Sequence, residues 1–229
     1  MLLLDADREF IFDKKVGRYR YKDSGKFAPE KAILNLSKKR INETKKEMGA
    51  LNDSLYDGSL PIDEWQRSTS KKLKTLHIEN SALGKGGLKN MSDRDYSRVG
   101  GTLKNEYKHL KRLSEQIKND EISEKQARER INKFTKRSRV SFFESQKITK
   151  EEAGYKWMRR RLSIAEHCPD CINYANAGWQ PIGTLPQPTQ ACQCQANCVC
   201  YVEYSKTKPE NDSLDAALER FQNNIGWIN

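Results

Sequence analysis

Apolar residues recur at helical spacing through the first two thirds of the chain. Leu34, Ile41, Met48 and Leu55 repeat every seven residues with Leu51 between them, one stripe of a helix that opens after Pro29 and stops at Asp57-Gly58. A second stripe follows Pro61 through Ile62, Trp65, Leu73, Leu76 and Leu83, and Gly84 stands where a left-handed C-terminal cap is expected. Ser92 with Asp95 forms a capping-box pattern ahead of Tyr96, Val99, Leu103, Tyr107, Leu110 and Ile117, and Gly100-Gly101 is a candidate kink. Ser123 with Gln126 repeats the capping box, and Ala127, Ile131, Phe134 and Phe142 carry one helical period on to about residue 147. Aromatics at this spacing read as core.

The pattern changes after Thr149. Tyr155 and Trp157 alternate with Lys156 and Met158 ahead of Arg159-Arg160-Arg161, which favours a strand, and Cys200–Tyr204 alternates like a short closing strand. Residues 168–200 hold all six cysteines and four of the seven prolines, the composition of a loop-rich module held by something other than a large core. Beyond Pro209, Leu214, Ala217, Leu218, Phe221 and Ile225 share one helical face, and with Trp227 they read as a segment that docks on a partner. The expected fold class is mainly α. An N-terminal arm (1–28) precedes an elongated helical body (29–150), a small Cys-rich α+β module (151–205) and an amphipathic C-terminal tail (206–229).

Composition supports the long helices. Only 36% of residues are hydrophobic against 32% charged, and the mean hydropathy is −0.90, which suits solvent-flanked helices better than a sphere. Residues 151–229 hold 7 Lys/Arg and 9 Asp/Glu, so residues 1–150 carry +13 of a chain whose net charge is +11. A field of that sign attracts polyanions, with nucleic acid the first to consider and Arg159, Arg160 and Arg161 as candidate phosphate contacts. The alternative is a solvated surface on which Lys alternates with Glu. Met1-Leu2-Leu3-Leu4 runs straight into Asp5 and Asp7 without the features of a secretion signal, and no apolar run approaches the ~18–20 residues that cross a bilayer. Synthesis in a cytosol, with no membrane partner, is expected.

Gly84-Lys85-Gly86-Gly87 follows a helix instead of a strand and lacks the Gly-Lys-Ser/Thr ending, so it reads as a loop and not a phosphate cradle. Three histidines, no HExxH and no GxSxG give catalysis little to stand on, and no enzymatic activity is expected. The cysteines are more informative. Cys168-Pro-Asp-Cys171 is separated by 20 residues from Cys192-Gln-Cys194 and Cys198-Val-Cys200. Close-set pairs joined by a loop are how small proteins assemble a tetrahedral thiolate site, so zinc is the expected cofactor. Three disulfides and a redox Cys168/Cys171 pair are the alternatives; the first suits a reducing cytosol poorly, and the second lacks a βαβ context. His167 reads as a neighbour, because its backbone position competes with Cys168.

Three segments carry a resemblance: His167-Cys168-Pro169-Asp170-Cys171, then Gly178-Trp179-Gln180-Pro181-Ile182-Gly183-Thr184-Leu185-Pro186, then Asn197-Cys198-Val199-Cys200. Together they resemble the C-terminal module of head morphogenesis proteins of the phage Mu type, over roughly residues 125–204. Asp95–Leu103 and Glu64-Trp65-Gln66 resemble the upstream part of such proteins. The resemblance implies a minor head protein of a tailed-phage virion, near the portal or in the head interior, with portal or capsid proteins, and packaged DNA, as partners. It carries Cys168, Cys171, Cys198 and Cys200 over as ligands and adds Cys194, with Cys192 the least supported. The family often has a histidine before the last cysteine group where this chain has glutamines and cysteines, which leaves the fourth ligand open.

Overall fold

The computed structural model describes residues 10–209. The chain opens on a hairpin, β1 (Phe10–Asp13) and β2 (Arg18–Tyr21), followed by five long helices: α1 (Glu30–Tyr56), α2 (Ile62–Lys85), α3 (Asp93–Lys118), α4 (Glu124–Arg137) and α5 (Arg139–Glu152). A small module follows, with β3 (Trp157–Arg161), the short helix α6 (Pro169–Asn176), β4 (Gln180–Pro181) and β5 (Tyr201–Ser205). The protein is mainly helical, with a small sheet region and a cysteine cluster near its C-terminal end. The tail residues Leu214, Leu218, Phe221, Ile225 and Trp227 lie outside the described residues.

Local signals set most helix ends. Pro29 and Pro61 precede α1 and α2 in extended conformation, and Gly58 closes α1 at φ 81°. Both capping boxes form: Asp95 accepts from the Ser92 N–H at 2.9 Å, and Gln126 Oε1 accepts from the Ser123 N–H at 2.9 Å. The expected stripes are buried at Leu34, Ile41 and Met48, at Trp65, Leu73, Leu76 and Leu83, and at Val99, Leu103 and Leu110. Tyr96 departs from its stripe and is 42% exposed. Gly100-Gly101 does not interrupt α3, which is continuous from Asp93 to Lys118.

Two expectations need correction. The period from Ser123 to residue 147 is two helices, broken at Ser138. There the Ser138 hydroxyl donates back to Thr135 O (2.7 Å) and accepts from Asn80 Nδ2 (2.9 Å), so side chains supply what a continuous helix would supply from backbone. Gly84 is not the cap of α2. The left-handed residue is Gly86 (φ 84°), and Gly84 lies inside the helix, where α5 comes so close that a Cβ would stand 2.5 Å from Phe142 O and 2.7 Å from Gln146 N.

This contact between α2 and α5 is a seam of small polar groups. His77 Nδ1 meets Ser141 Oγ (2.8 Å), Ser81 meets Ser145 (2.7 Å), and Thr149 Oγ1 donates to Gly84 O (2.9 Å). Partners rise together along both helices, so α2 and α5 run parallel. Core residues flank the seam. One cluster joins Phe10, Tyr19, Ile33, Leu34, Leu83, Phe142 and Phe143; the other joins Met48, Trp65, Leu73, Val99, Leu103, Leu110, Leu113, Ile131 and Phe134.

The stretch read as an N-terminal arm contains the β1–β2 hairpin, which packs into the first cluster through Phe10 and Tyr19. The Tyr19 hydroxyl donates to Leu83 O (2.9 Å), and buried Lys150 donates to Gly17 O (2.8 Å) while pairing with Glu30. Burial depresses the Lys150 pKa, and Glu30 works against that shift.

Two outcomes follow from the seam. Gly84→Ala gains about 1 kcal/mol of helix propensity but places a methyl against α5 backbone, and is expected to lose about 2 kcal/mol net or more. Gly100→Ala, with open space around its Cβ, is expected to gain about 0.5–1 kcal/mol. Urea titration of both variants checks the pair; equal midpoints would remove the close-approach argument. Burial of His77 lowers its pKa from 6.5 to about 4. The unfolded chain therefore binds the extra proton first, and stability present above pH 6.5 is lost as pH falls towards about 4, by up to about 3 kcal/mol. His77→Gln is expected to flatten that part of the stability–pH curve, measured as urea midpoints across the window.

Candidate metal centre

The module is a three-stranded antiparallel sheet in the order β4-β3-β5, with a loop carrying the later cysteines. Strand alternation divides the three arginines of β3. Met158 and Arg160 face inward with Val202, each no more than 1% exposed, whereas Arg159 and Arg161 point the other way towards Glu203 at 2.7 and 3.5 Å. Arg159 also lies over the Trp179 ring, 4.6 Å from its centroid. Arg160 is therefore withdrawn from any nucleic-acid surface, contrary to expectation, and the other two share a carboxylate.

Cys168 is the N-cap of α6, Pro169 occupies its first turn and Cys171 sits one turn in, fully buried. Asp170 Oδ2 accepts from the Gln193 N–H (2.8 Å), and the Tyr174 hydroxyl donates to Ala191 O (2.7 Å), so α6 holds the Cys192–Cys194 loop across its end. Cys194 leads into a 3₁₀ turn at Gln195–Asn197, which delivers Cys198 and then Cys200 at the mouth of β5. The turn is held by the α4–α5 junction: Arg139 donates to Ala196 O (2.8 Å) and Lys136 to Asn197 Oδ1 (2.7 Å).

Six free cysteines thus converge on one place. The Sγ atoms of Cys171, Cys192, Cys194 and Cys198 lie within 4.8 Å of one another, and these four could hold a metal ion. The separations are 3.5 Å (Cys171–Cys194), 3.7 Å (Cys171–Cys198) and 3.4 Å (Cys192–Cys194). A tetrahedron with metal–sulfur bonds of about 2.3 Å has edges of roughly 3.8 Å, so the thiols are close to coordinating positions. This corrects the ligand set in one respect: Cys192, expected to be the least involved, belongs to the compact four. Cys168 and Cys200 flank them, and Cys200 Sγ lies 3.5 Å from His167 Nδ1, which keeps the histidine a neighbour of the cluster.

Arg160 and Arg139 went unrecognised as parts of this centre. Arg160 reaches the cluster from β3, donating to Pro186 O (2.7 Å) and lying 3.4 Å from Cys198 Sγ and 3.7 Å from Cys171 Sγ. Arg139 is 5% exposed. Neither has a carboxylate partner among the described residues, and a buried cation needs compensating charge. Burial opposes the charged form of both, while the thiolates favour it; at Arg160 the thiolates prevail and its pKa rises. The thiols respond in kind. Burial pushes Cys171 up to about 12, and Cys198 is held down to about 4 by hydrogen bonding from Cys200, against burial, with backbone N–H groups and Arg160 assisting. Four thiolates around a divalent ion would carry a net −2, which the two buried guanidinium groups would neutralise. The alternation Met158, Arg160 opposite Val202 was the available signal that Arg160 turns inward.

No protein-family model, curated protein or solved structure matches this chain.

Protein purified without added metal is expected to carry about one divalent ion per chain by elemental analysis. Cys171→Ser and Cys192→Ser should both abolish stoichiometric binding, and Cys168→Ser should retain it. Six titratable thiols with no metal in the native protein would rule the site out, and retention by Cys192→Ser would return the ligand set to the one read from sequence.

Proposed function

We propose that the chain is a structural and assembly component of a tailed-phage virion, a minor head protein near the portal or in the head interior. In this reading the ion is zinc. It fixes the fold of the Cys-rich knob, which Arg139 and Lys136 hold against the helical body, so that the knob presents a fixed surface to portal or capsid proteins. Zinc suits the donor set, since soft thiolates in a closed tetrahedral arrangement are the usual structural site for that ion. The role is binding and assembly, without turnover.

One observation carries the reading. The three segments that resemble the phage Mu-type module lie within residues 167–200, and each has a part in the same knob. Cys168 and Cys171 open α6, Gln180–Pro181 pairs with β3 while Pro186 receives Arg160, and Cys198 and Cys200 close the cluster. The quoted motifs are thus parts of one site, which is what supports the reading.

The test is co-expression with the portal and capsid proteins of the same phage, followed by gradient sedimentation of the assembled particles. The chain is expected to travel with particles and to survive a salt wash, and Cys171→Ser should leave it at the top of the gradient. Failure of the wild-type chain to enter particles would overturn the proposal.

A further inference from the structure

Some basic residues of the helical body are matched by acids. Arg40 meets Glu43, Glu47 and Glu79; Lys72 meets Glu47; Arg128 meets Asp53 and Glu124; Arg98 meets Asp95. At these positions the basic charge is neutralised within the body itself. Other basic residues have no ion pair among the described residues, and between α3 and α4 several of them gather around one cleft.

His109, Arg112 and Gln116 on α3, and Arg130, Lys133 and Arg137 on α4, line a cleft of about 380 Å³ floored by Phe134. Each trio follows i, i+3, i+7 spacing, so each occupies one helix face. Among the described residues Arg112 and Lys133 make no ion pair, and Arg130 donates to the neutral amide of Gln116. Arg137 alone has an acid, Glu106, at 2.9 Å, and that side chain is only 2% exposed. The cleft therefore opens to solvent with a formal net +3 once Glu106 is counted.

We propose that this cleft binds the phosphodiester backbone of nucleic acid through contacts to about two neighbouring phosphates. Three guanidinium groups offer planar donor forks that match phosphate oxygens, and the Lys133 ammonium adds a mobile point charge. Phe134 is 8% exposed and lies in the core, so it offers little ring face for stacking a base. Contacts of this kind position a strand without reading its sequence. The site differs in place and chemistry from Arg159–Arg161, and it needs neither the metal nor the virion role proposed above.

The experiment measures fluorescence anisotropy of a labelled mixed-sequence duplex against the full-length protein over a series of salt concentrations. Three proteins are compared: wild type, a cleft variant (Arg112→Gln, Arg130→Gln, Lys133→Gln) and a charge-matched control (Lys71→Gln, Lys74→Gln, Lys89→Gln). The cleft variant is expected to bind at least about tenfold more weakly, with the log–log salt slope shallower by about two, while the control changes little. Equal losses in the two variants would show that only the overall field matters, and no binding by wild type would equally overturn the proposal. Calorimetry with inorganic phosphate separates the other source of the same chemistry. Saturable phosphate binding that the cleft variant loses while its DNA affinity stays at the wild-type level would make this a free-phosphate site and overturn the backbone reading. Should the triple variant fail to fold, Lys133→Gln alone, at an exposed position, is expected to lower the slope by about one, and no change there would also overturn it.

Discussion

The approach of α5 to α2 at Gly84 is the constraint on which the rest of the structure depends. Backbone atoms of Phe142 and Gln146 occupy the space any Cβ would fill, so the helices meet on a backbone surface with no large side chains between them. Around Gly84 such closeness leaves room only for small groups, and the hydroxyls there are all met: Ser81 by Ser145, Ser141 by His77 Nδ1, and Thr149 by the Gly84 and Ser145 carbonyls. A greasy seam would tolerate sliding by a turn. A hydrogen-bonded one does not, because each displaced hydroxyl would be buried without a partner at a cost of about 1–3 kcal/mol.

Both ends of α5 are then used. At its start, the break at Ser138 turns Arg139 towards the Ala196 carbonyl and so fixes the turn between Cys194 and Cys198. At its end, Lys150 is held by Gly17 and Glu30, and the chain passes through Gly154 (φ 81°) directly into β3, which carries Arg160 into the same cysteine cluster. The metal centre is thus built against a helix already locked in register by α2. A loop carrying four of the six cysteines acquires its shape from contacts at its two edges, and an ion has only to draw together sulfurs that are already near one another.

Legibility in the sequence followed from how local each cause was. Pro29, Pro61, Ser92 and Ser123 act within one turn of chain, and the helix starts they announce are where they were expected. The stripe through Leu34, Ile41 and Met48 could be read because a buried face imposes its own period. The misread positions answer to distant partners. Gly84 has the composition of a cap, and only the arrival of α5 makes it a contact residue. Ser138 breaks a helix because Asn80 reaches it from α2. At the cysteines, spacing predicted a thiolate cluster, but the resemblance ranked Cys192 last, and its place depends on the Asp170–Gln193 bond across 23 residues of sequence. The hairpin in the segment taken as an arm was missed for the same reason: Phe10 and Tyr19 are buried by helices that come later in the chain.

Arg160 shows how one such non-local placement bears on chemistry. A guanidinium 1% exposed, held by a carbonyl and two sulfurs, is costly beside neutral sulfur and favourable beside thiolate. Disulfides or protonated thiols would leave Arg160 and Arg139 as two buried cations facing no charge. Thiolates without a cation of their own would crowd several negative charges into a few ångströms. A divalent ion among four thiolates resolves both problems at once, because its residual charge is the one the two arginines neutralise. By the same arithmetic, loss of such an ion would remove part of the charge balance around Arg160, which would couple the sheet, β3 included, to the loading of the loop.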